Sequence, residues 1–332
     1  MLRKLSVLVL LLVLGTALGQ SVIRYAHFQP GRTDQPKHAA ALAFERYVET
    51  ESNGSLQVEI FPASQLGTAA EVLEGLQFGT IQMGVVHDGP ISGFFRPIEL
   101  FSIPYLFTGQ PEAYSVFDGD FGAMFAERMI AESNLRPLAI ADNGIRHFTN
   151  DVRPIRSPED MRGLKIRVQP SPIYEALVNS LGASPAAIAW PELPSALQQG
   201  VVDGQENGVT NILAASLYQY QKFVSLDAHV YSVHVYIMGE DFWQGLSPEE
   251  QRIVQDGTNI AKEIHRAMTT AQDDGAEEIL SGLGMEVAVL TPAEIQAFRE
   301  LAQPAVLEYI RTVVPQDMID ALFAAIDDFR GN

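Results

Sequence analysis

Residues Gly163 to Asn207 carry the clearest strand and helix pattern of the chain and read GLKIRVQPSPIYEALVNSLGASPAAIAWPELPSALQQGVVDGQEN. Apolar and polar residues alternate over GLKIRV, which is the period of a strand, and apolar residues then recur at helical spacing up to Gly182. A short apolar run follows and ends at Trp190, a second helical segment ends at Gly200, and VVDGQEN begins a third strand. This order of strands and helices predicts a parallel sheet with right-handed crossovers.

Polar and aromatic residues fall at the ends of these three strands. Arg167, Trp190 and Asn207 lie at or just past the strand ends, where open parallel sheets bind their ligands. A cation, a flat aromatic ring and an amide would therefore face one crevice. The spacing alone leaves two interpretations of Arg167 open. It either forms an internal salt bridge, to Glu206 or Asp203, or holds a ligand carboxylate through two parallel hydrogen bonds.

The same alternation of strands and helices occurs near the start of the chain. Polar residues again follow the strands, and His27, His87 and Asp88 are among them. The predicted strands cover residues 22–27, 56–61 and 81–86, and the predicted helices cover residues 36–51 and 68–78. Two such units facing each other predict an α/β fold of two lobes. Each lobe would be a mostly parallel sheet flanked by helices, with the ligand cleft between the lobes.

The remaining segments predict how the two lobes are connected. A helical pattern continues from Pro248 toward Leu280, which would make a helix of about 45–50 Å running along both lobes. We expect one lobe to comprise residues 20–145 and 233–272. The other lobe would comprise residues 146–232 and 273–332.

Residues 1–19 have the pattern of a cleaved secretory signal peptide. MLRK provides the positive start, Leu5 to Leu14 the apolar region, and Ala17-Leu18-Gly19 the cleavage site. The apolar run is too short for a comfortable membrane span. The chain also contains no cysteine, which suits a large bacterial periplasmic protein that is stabilised by its core. We therefore expect a soluble, exported, periplasmic protein.

The charge of the chain restricts the partners that it can have. Its formal charge is −19, and loss of Arg3 and Lys4 with the signal peptide would make it −21. Such a surface repels nucleic acid and anionic lipid headgroups. A small anionic ligand remains possible, because exposed charges are screened beyond about 8 Å at physiological salt.

The sequence lacks the common catalytic signatures. It contains no HExxH, GxSxG or P-loop motif and no GxGxxG after a strand. Its seven histidines are scattered without the spacing of metal ligands, so neither a metal nor a cofactor is predicted. An exported enzyme using His87 and Asp88 as a general acid and base is an alternative, although no nucleophile or metal completes it.

Three runs of the central stretch carry a family resemblance. GLKIRV, GASP followed by AIAW, and LQQGVVDGQEN resemble the signature of the DctP-type solute-binding proteins of TRAP transporters. The resemblance extends to HFQPGRTDQPKHAAALAFERYVE, EIFPASQLG, EVLEGLQFGTIQMGVV, FSIPYLF and NGIRHFTN. It implies a two-lobed fold like that of periplasmic binding proteins, closing on an organic acid. It also implies transfer of that acid to a small and a large integral membrane subunit. We expect the receptor to be a monomer.

The resemblance also implies which residues bind the ligand. Arg167, in the GLKIRV strand, corresponds to the arginine that makes the two-pronged contact with the ligand carboxylate. Arg146, in NGIR, corresponds to a second cationic contact. Asn207 closes VDGQEN, and Trp190 is the aromatic residue that follows GASP.

Further contacts are implied in the first lobe. His87 beside Asp88 follows the third strand, and His27 and Gln29 lie at the end of the first strand. The compatible ligands are C4-dicarboxylates, uronates, keto acids and sugars like sialic acid, and Trp190 favours a ligand with a flat or apolar side. A binding protein that serves a membrane sensor kinase, rather than a permease, is the other alternative that the sequence leaves open.

Overall fold

The computed structural model describes residues 21–331, so the predicted signal peptide lies outside the described residues. Its strands are β1 (Ser21–Ala26), β2 (Leu56–Phe61), β3 (Met83–His87), β4 (Leu135–Asn150), β5 (Lys165–Val168), β6 (Ser184–Ala187), β7 (Gly204–Gly208), β8 (Phe223–Gly239) and β9 (Glu286–Val289). Its first seven α-helices are α1 (Pro36–Glu51), α2 (Ala69–Gln77), α3 (Asp88–Ile91), α4 (Gln110–Phe117), α5 (Asp120–Ser133), α6 (Pro158–Met161) and α7 (Pro172–Ser180). The others are α8 (Leu193–Gln198), α9 (Val209–Ala214), α10 (Glu240–Gly245), α11 (Pro248–Asp274), α12 (Ala276–Gly282), α13 (Pro292–Val313) and α14 (Gln316–Gly331). Short 3-10 helices cover Arg96–Ser102, Trp190–Glu192 and Leu217–Gln219.

One mixed sheet contains all of these strands, in the order β2-β1-β3-β8-β4-β7-β5-β6, with β9 paired to one end of β8. The first unit, β1-α1-β2-α2-β3, has β1 in the middle and parallel to both neighbours. The second unit, β5-α7-β6-α8-β7, repeats this arrangement around β5. The predicted strand–helix rhythm and the α/β fold are therefore confirmed.

Two long antiparallel strands join the two units. β4 and β8 pair from Leu135 opposite Gly239 to Asn150 opposite Phe223. Their register shifts between Asp142 and Gly144, and such a bulge bends a strand and redirects a side chain. The expected lobe boundaries near residues 145 and 232 fall inside these continuous strands, so the division into lobes stays a prediction.

Helix boundaries follow local signals in the sequence. Thr68, Ser157, Ser247 and Thr291 each begin a helix with a reciprocal capping box, which satisfies backbone N–H groups that have no partner within the helix. Gly182 ends α7 with a φ of +82°, a conformation that glycine adopts without a steric penalty.

The long helix α11 packs along α1 and β4. It has 27 residues and is therefore about 40 Å long. It ends at Asp274, earlier than the predicted extension toward Leu280, because the chain bends at Gly275 before α12 begins. Gly257 permits the close approach to α1, since a Cβ there would lie 2.9 Å from the Val48 side chain.

Candidate ligand-binding site

The two units meet at a cavity beyond the ends of their central strands. The side chains around it leave about 300 Å³ of space, part of which is open to solvent. Six of the predicted site residues line it: Gln29, His87, Arg146, Arg167, Trp190 and Asn207. Five further residues line it that the sequence had not singled out: Phe28, Asn143, Gln169, Asn211 and His234. Residues from both ends of the chain thus converge where an open sheet is expected to bind ligands.

Arg167 is a buried cation that has no carboxylate within salt-bridge distance among the described residues. Its side chain lies on β5 and is 1 % exposed. Nε donates a hydrogen bond to the Ile188 carbonyl oxygen at 2.9 Å, and within residues 21–331 no carboxylate lies within salt-bridge distance of the guanidinium. Burial lowers the pKa of Arg167 to about 9, so the group stays charged at neutral pH. A desolvated cation of this kind is costly unless an anion joins it.

Arg146, on β4, has its carboxylate partner in Glu206. Nη2 donates to Oε1 of Glu206 at 2.8 Å and to the Glu206 carbonyl oxygen at 2.7 Å, while Nε donates to Oε2. Both side chains are at most 1 % exposed. The salt bridge to Glu206 that was one interpretation of Arg167 is therefore formed by Arg146. The other predicted partner, Asp203, does not form a salt bridge with Arg167 either, so that interpretation of Arg167 is wrong. The Asp203 carboxylate instead accepts the Lys165 backbone N–H at 2.7 Å.

Strand register explains which arginine meets Glu206. Arg146 lies opposite Gly208 on β7, two residues from Glu206 and hence on the same face of the sheet. Arg167 lies opposite Gln205, and consecutive residues of a strand point to opposite faces. The two arginines approach the cavity from different strands, and only Arg167 brings an uncompensated charge.

A cluster of amides forms the floor between the two units. The Nδ2 atom of Asn211 donates to Oδ1 of Asn207 and to Oδ1 of Asn143, each at 2.7 Å. Its Oδ1 atom accepts hydrogen bonds from Nε2 of Gln29 at 2.5 Å and from Nζ of Lys37 at 3.2 Å. The side-chain amide oxygen of Gln29, Oε1, is buried and has no hydrogen-bond donor among the described residues. It can therefore accept a hydrogen bond from a ligand hydroxyl or amine.

His87 contributes a neutral imidazole. Burial, followed by the positive charges of Arg167, Arg146 and Lys37, lowers the pKa of His87 to about 3. The ring packs edge-on against Phe28, with centroids 5.8 Å apart. An uncharged ring in this position can donate or accept one hydrogen bond, but it adds no charge to the site.

Asp88 does not line the cavity, although the sequence placed it in the site. It is 2 % exposed and accepts four hydrogen bonds. Ser102 and Tyr174 each donate from 2.7 Å, Ser232 from 2.9 Å and Gln169 from 3.0 Å. Gln169 and Tyr174 lie in or beside the second unit, so Asp88 ties the two units together and holds the Gln169 amide at the cavity wall.

His27 also lies outside the cavity. Its Nε2 atom is 3.1 Å from Nδ1 of His38, and its Nδ1 atom accepts the Gln29 backbone N–H at 3.3 Å. Burial, together with the charges of His38 and Lys37, lowers the pKa of His27 to about 3. This histidine holds Gln29 in position and does not contact the cavity itself.

Several of the missed residues had a local signal. Gln169 directly follows the GLKIRV strand, and Asn143 opens the NGIR motif at the bulge of β4. Asn211 lies four residues after Asn207, in the helix α9 that directly follows β7. His234 lies within β8 and had no such signal, because nothing in the alternating pattern says which strand β8 will pair with.

Trp190 connects the two units across the mouth of the cavity. Its indole Nε1 donates to the Phe28 carbonyl oxygen at 3.2 Å, while its ring forms part of the cavity wall. This hydrogen bond joins the second unit to the first at the cavity wall.

Comparison with known proteins identifies the family. The signature of the family described as bacterial extracellular solute-binding protein, family 7 (DctP), matches residues 26–312. The chain belongs to this family. The DctP-type periplasmic protein of Rhodobacter capsulatus, a C4-dicarboxylate-binding protein, is 31% identical over 287 residues, covering 85% of this chain and 84% of that one.

Solved structures of TRAP periplasmic solute-binding proteins share the fold of this DctP-family chain. One from Bordetella bronchispeptica, with density assigned to pantoate, is 34% identical with a TM-score of 0.85, covering 91% of this chain and 99% of that one. One from Sulfurospirillum deleyianum, with bound succinate, is 26% identical with a TM-score of 0.85, covering 92% and 99%.

Members of this DctP family are solute-binding receptors, and the Rhodobacter relative is periplasmic. In the part of the chain from residue 21 to residue 331, no helix is both long enough and apolar enough to cross a membrane.

Proposed function

We propose that this DctP-family receptor captures an organic acid by placing the acid's carboxylate on Arg167. The observation that carries the proposal is the buried guanidinium of Arg167, which is 1 % exposed and has one protein hydrogen bond, from Nε, among the described residues. Its two terminal nitrogens are then available for two parallel charged hydrogen bonds to a carboxylate. Arg146 lies in the same cavity with its charge paired to Glu206, so Arg167 is the cation that receives the carboxylate.

Binding is coupled to closure of the two units around the ligand. The cavity is lined by residues of both units, and hydrogen bonds from Gln29 to Asn211 and from Trp190 to Phe28 cross between them. A ligand that bridges the same surfaces stabilises the closed arrangement, as in other hinged binding proteins. The closed receptor then presents its cargo to a small and a large membrane subunit.

The ligands of structural neighbours support an organic acid. The Bordetella receptor has density assigned to pantoate, the Sulfurospirillum receptor holds succinate, and a receptor from Roseobacter denitrificans holds L-galactonate. These molecules share a carboxylate and differ in the rest of the structure. A single fixed cation beside a cavity that varies between members would account for that pattern.

The geometry favours binding over catalysis. His87 is held neutral at physiological pH because burial lowers its pKa to about 3, and the Asp88 carboxylate is occupied by four hydrogen bonds. Neither group is arranged as an acid and base around the cavity. We infer that the protein is a receptor, is not an enzyme, and acts in the periplasm as a monomer after removal of residues 1–19.

A thermal-shift screen of organic acids, followed by calorimetry, tests the proposal. An acid present at 100 times its Kd should stabilise the mature protein by about 2.7 kcal/mol. Recovery of the acid unchanged after incubation would separate a receptor from an enzyme. Failure of every carboxylate to stabilise the protein, or turnover of a bound one, would refute the proposal.

A further inference from the structure

A second, larger cavity adjoins the arginine site. It is a groove that opens to solvent, spans about 840 Å³ with that open space included, and shares His87 and Trp190 with the arginine site. Its remaining wall is mostly apolar and comes from both units, with Ala70 and Phe94 on one side and Pro172 on the other. A ligand whose carboxylate lies on Arg167 can therefore extend past the two shared rings into apolar surroundings.

The polar groups of this cavity already have protein partners. The Thr68 hydroxyl exchanges hydrogen bonds with Glu71 in the cap of α2, and the Ser92 hydroxyl donates to the Gly89 carbonyl oxygen at 2.7 Å. Arg96 lies 3.4 Å from the Glu99 carboxylate. Ligand hydroxyls placed here would lose water without gaining matching partners, which is unfavourable.

The charges of the arginine site suit one carboxylate. Arg146 is neutralised by Glu206, whereas Arg167 has no carboxylate in residues 21–331. In the adjoining cavity the cation Arg96 faces Glu99. Among the described residues that line the two cavities, Arg167 is therefore the one buried cation that has no carboxylate within salt-bridge distance, and a second ligand carboxylate would meet only the paired and partly exposed Arg96.

From these observations we propose that the ligand is a monocarboxylic acid with an apolar body of branched alkyl or aryl character. Its carboxylate lies on Arg167 and its apolar body fills the cavity beyond His87 and Trp190. The proposal rests on the proposed receptor function and narrows the substrate class within it. It ranks such acids above C4-dicarboxylates and polyhydroxylated sugar acids for this protein.

A ligand series measures the contribution of the apolar cavity. Calorimetry on the mature protein compares propanoate, 4-methylpentanoate and 3-phenylpropanoate with succinate and galactonate. Burial of each added methylene group should improve affinity about fourfold, so 4-methylpentanoate should bind at least tenfold more tightly than propanoate. Succinate and galactonate should bind more weakly than 3-phenylpropanoate.

A pair of matched variants locates the effect in the cavity. Ala70 lines the cavity and is the second residue of α2, after the Thr68 cap. Ala293 is exposed and holds the same position in α13, after the Thr291 cap. Ala70→Leu should weaken 3-phenylpropanoate at least tenfold and leave propanoate within about twofold. Ala293→Leu should change neither affinity.

The possible results separate this proposal from the proposed function. One outcome is that carboxylates bind, that Arg167→Ala abolishes this binding, and that succinate or galactonate binds most tightly. This outcome would overturn the proposed apolar ligand class and keep the receptor function. Equal binding of 3-phenylpropanoate by Ala70→Leu and wild type would also overturn it. Absence of binding for all five acids and for the wider screen would refute both proposals together.

Discussion

Replacing the two cleft arginines one at a time should affect the unliganded protein in opposite ways. Arg146 and Arg167 are each 1 % exposed, but only Arg146 holds a carboxylate. Arg146→Ala would leave Glu206 buried, with His229 at 3.4 Å as its remaining ionic partner. Breaking a buried pair in this way costs about 3–5 kcal/mol.

Arg167→Ala should leave the stability of the unliganded protein unchanged or raise it. Burial lowers the pKa of Arg167 to about 9, and each pKa unit corresponds to about 1.4 kcal/mol of strain on the charged form. Removing the cation relieves that desolvation and leaves no carboxylate without its partner. The lost packing of the aliphatic part of the side chain offsets some of the gain.

Ligand affinity, in contrast to stability, should fall when Arg167 is replaced. Arg167→Lys keeps the charge but loses the planar fork, and a charged hydrogen bond contributes about 1.5–3 kcal/mol. Affinity for the acid found by the screen should therefore fall about ten- to a hundredfold. Arg167→Ala should cost more, because the carboxylate would enter the cavity with no free cation.

Thermal denaturation without ligand and calorimetry with ligand measure the two effects. At about 2 °C per kcal/mol for a chain of this size, Arg146→Ala should lower the Tm by roughly 6–10 °C. Equal destabilisation by Arg167→Ala would show that Arg167 is a structural ion-pair partner. Undiminished affinity in Arg167→Ala would remove this residue from the site.

Three further substitutions test other parts of the site. His87→Gln should flatten the pH dependence of stability between pH 4 and 6 by about 1.4 kcal/mol per unit. In the wild type, burial lowers the pKa of His87 to about 3, so the unfolded chain alone takes up this proton and stability falls as the pH drops below about 6.5. Urea titrations at pH 4, 5 and 6 with an unchanged slope would contradict this. Asp88→Asn should cost about 2–4 kcal/mol of stability, because an amide cannot accept all four hydrogen bonds, and an undisturbed urea midpoint would refute it. Trp190→Phe should weaken binding several-fold by losing the bond to the Phe28 carbonyl oxygen, and Trp190→Ala should weaken it tenfold or more. Calorimetry in which Trp190→Ala binds normally would exclude the indole from the site.

Local sequence patterns predict the secondary structure and the edge of the sheet at which the candidate site lies. Alternation over GLKIRV, helical spacing up to Gly182 and capping signals such as Thr68 act within a few residues, and the structure has the corresponding elements. Because the carboxyl ends of parallel strands share one edge, this local information was enough to bring Arg167 and Asn207 to one cavity. The family resemblance, also carried by sequence, added Arg146.

The pairing of the buried charges, in contrast, depends on contacts between distant strands and is seen only in the folded structure. Glu206 lies on β7, which is between the strands of the two arginines in the sheet. The register between β4 and β7 places Glu206 on the same face of the sheet as Arg146. Register is a long-range property that is set when distant strands pair. A shift of one residue moves every side chain of a strand to the opposite face of the sheet. Sequence spacing could therefore not distinguish the proposed ligand-binding role of Arg167 from a structural salt bridge.

Contacts between distant segments also explain why two of the predicted site residues do not line the cavity. Asp88 and His27 follow strands as the pattern requires, yet Asp88 is turned toward donors from distant segments and His27 toward His38 on α1. The apolar cavity beyond Trp190 is likewise formed by side chains from both units. Local periodicity determines which residues reach the sheet edge, and packing between the units determines which of them line the cavity.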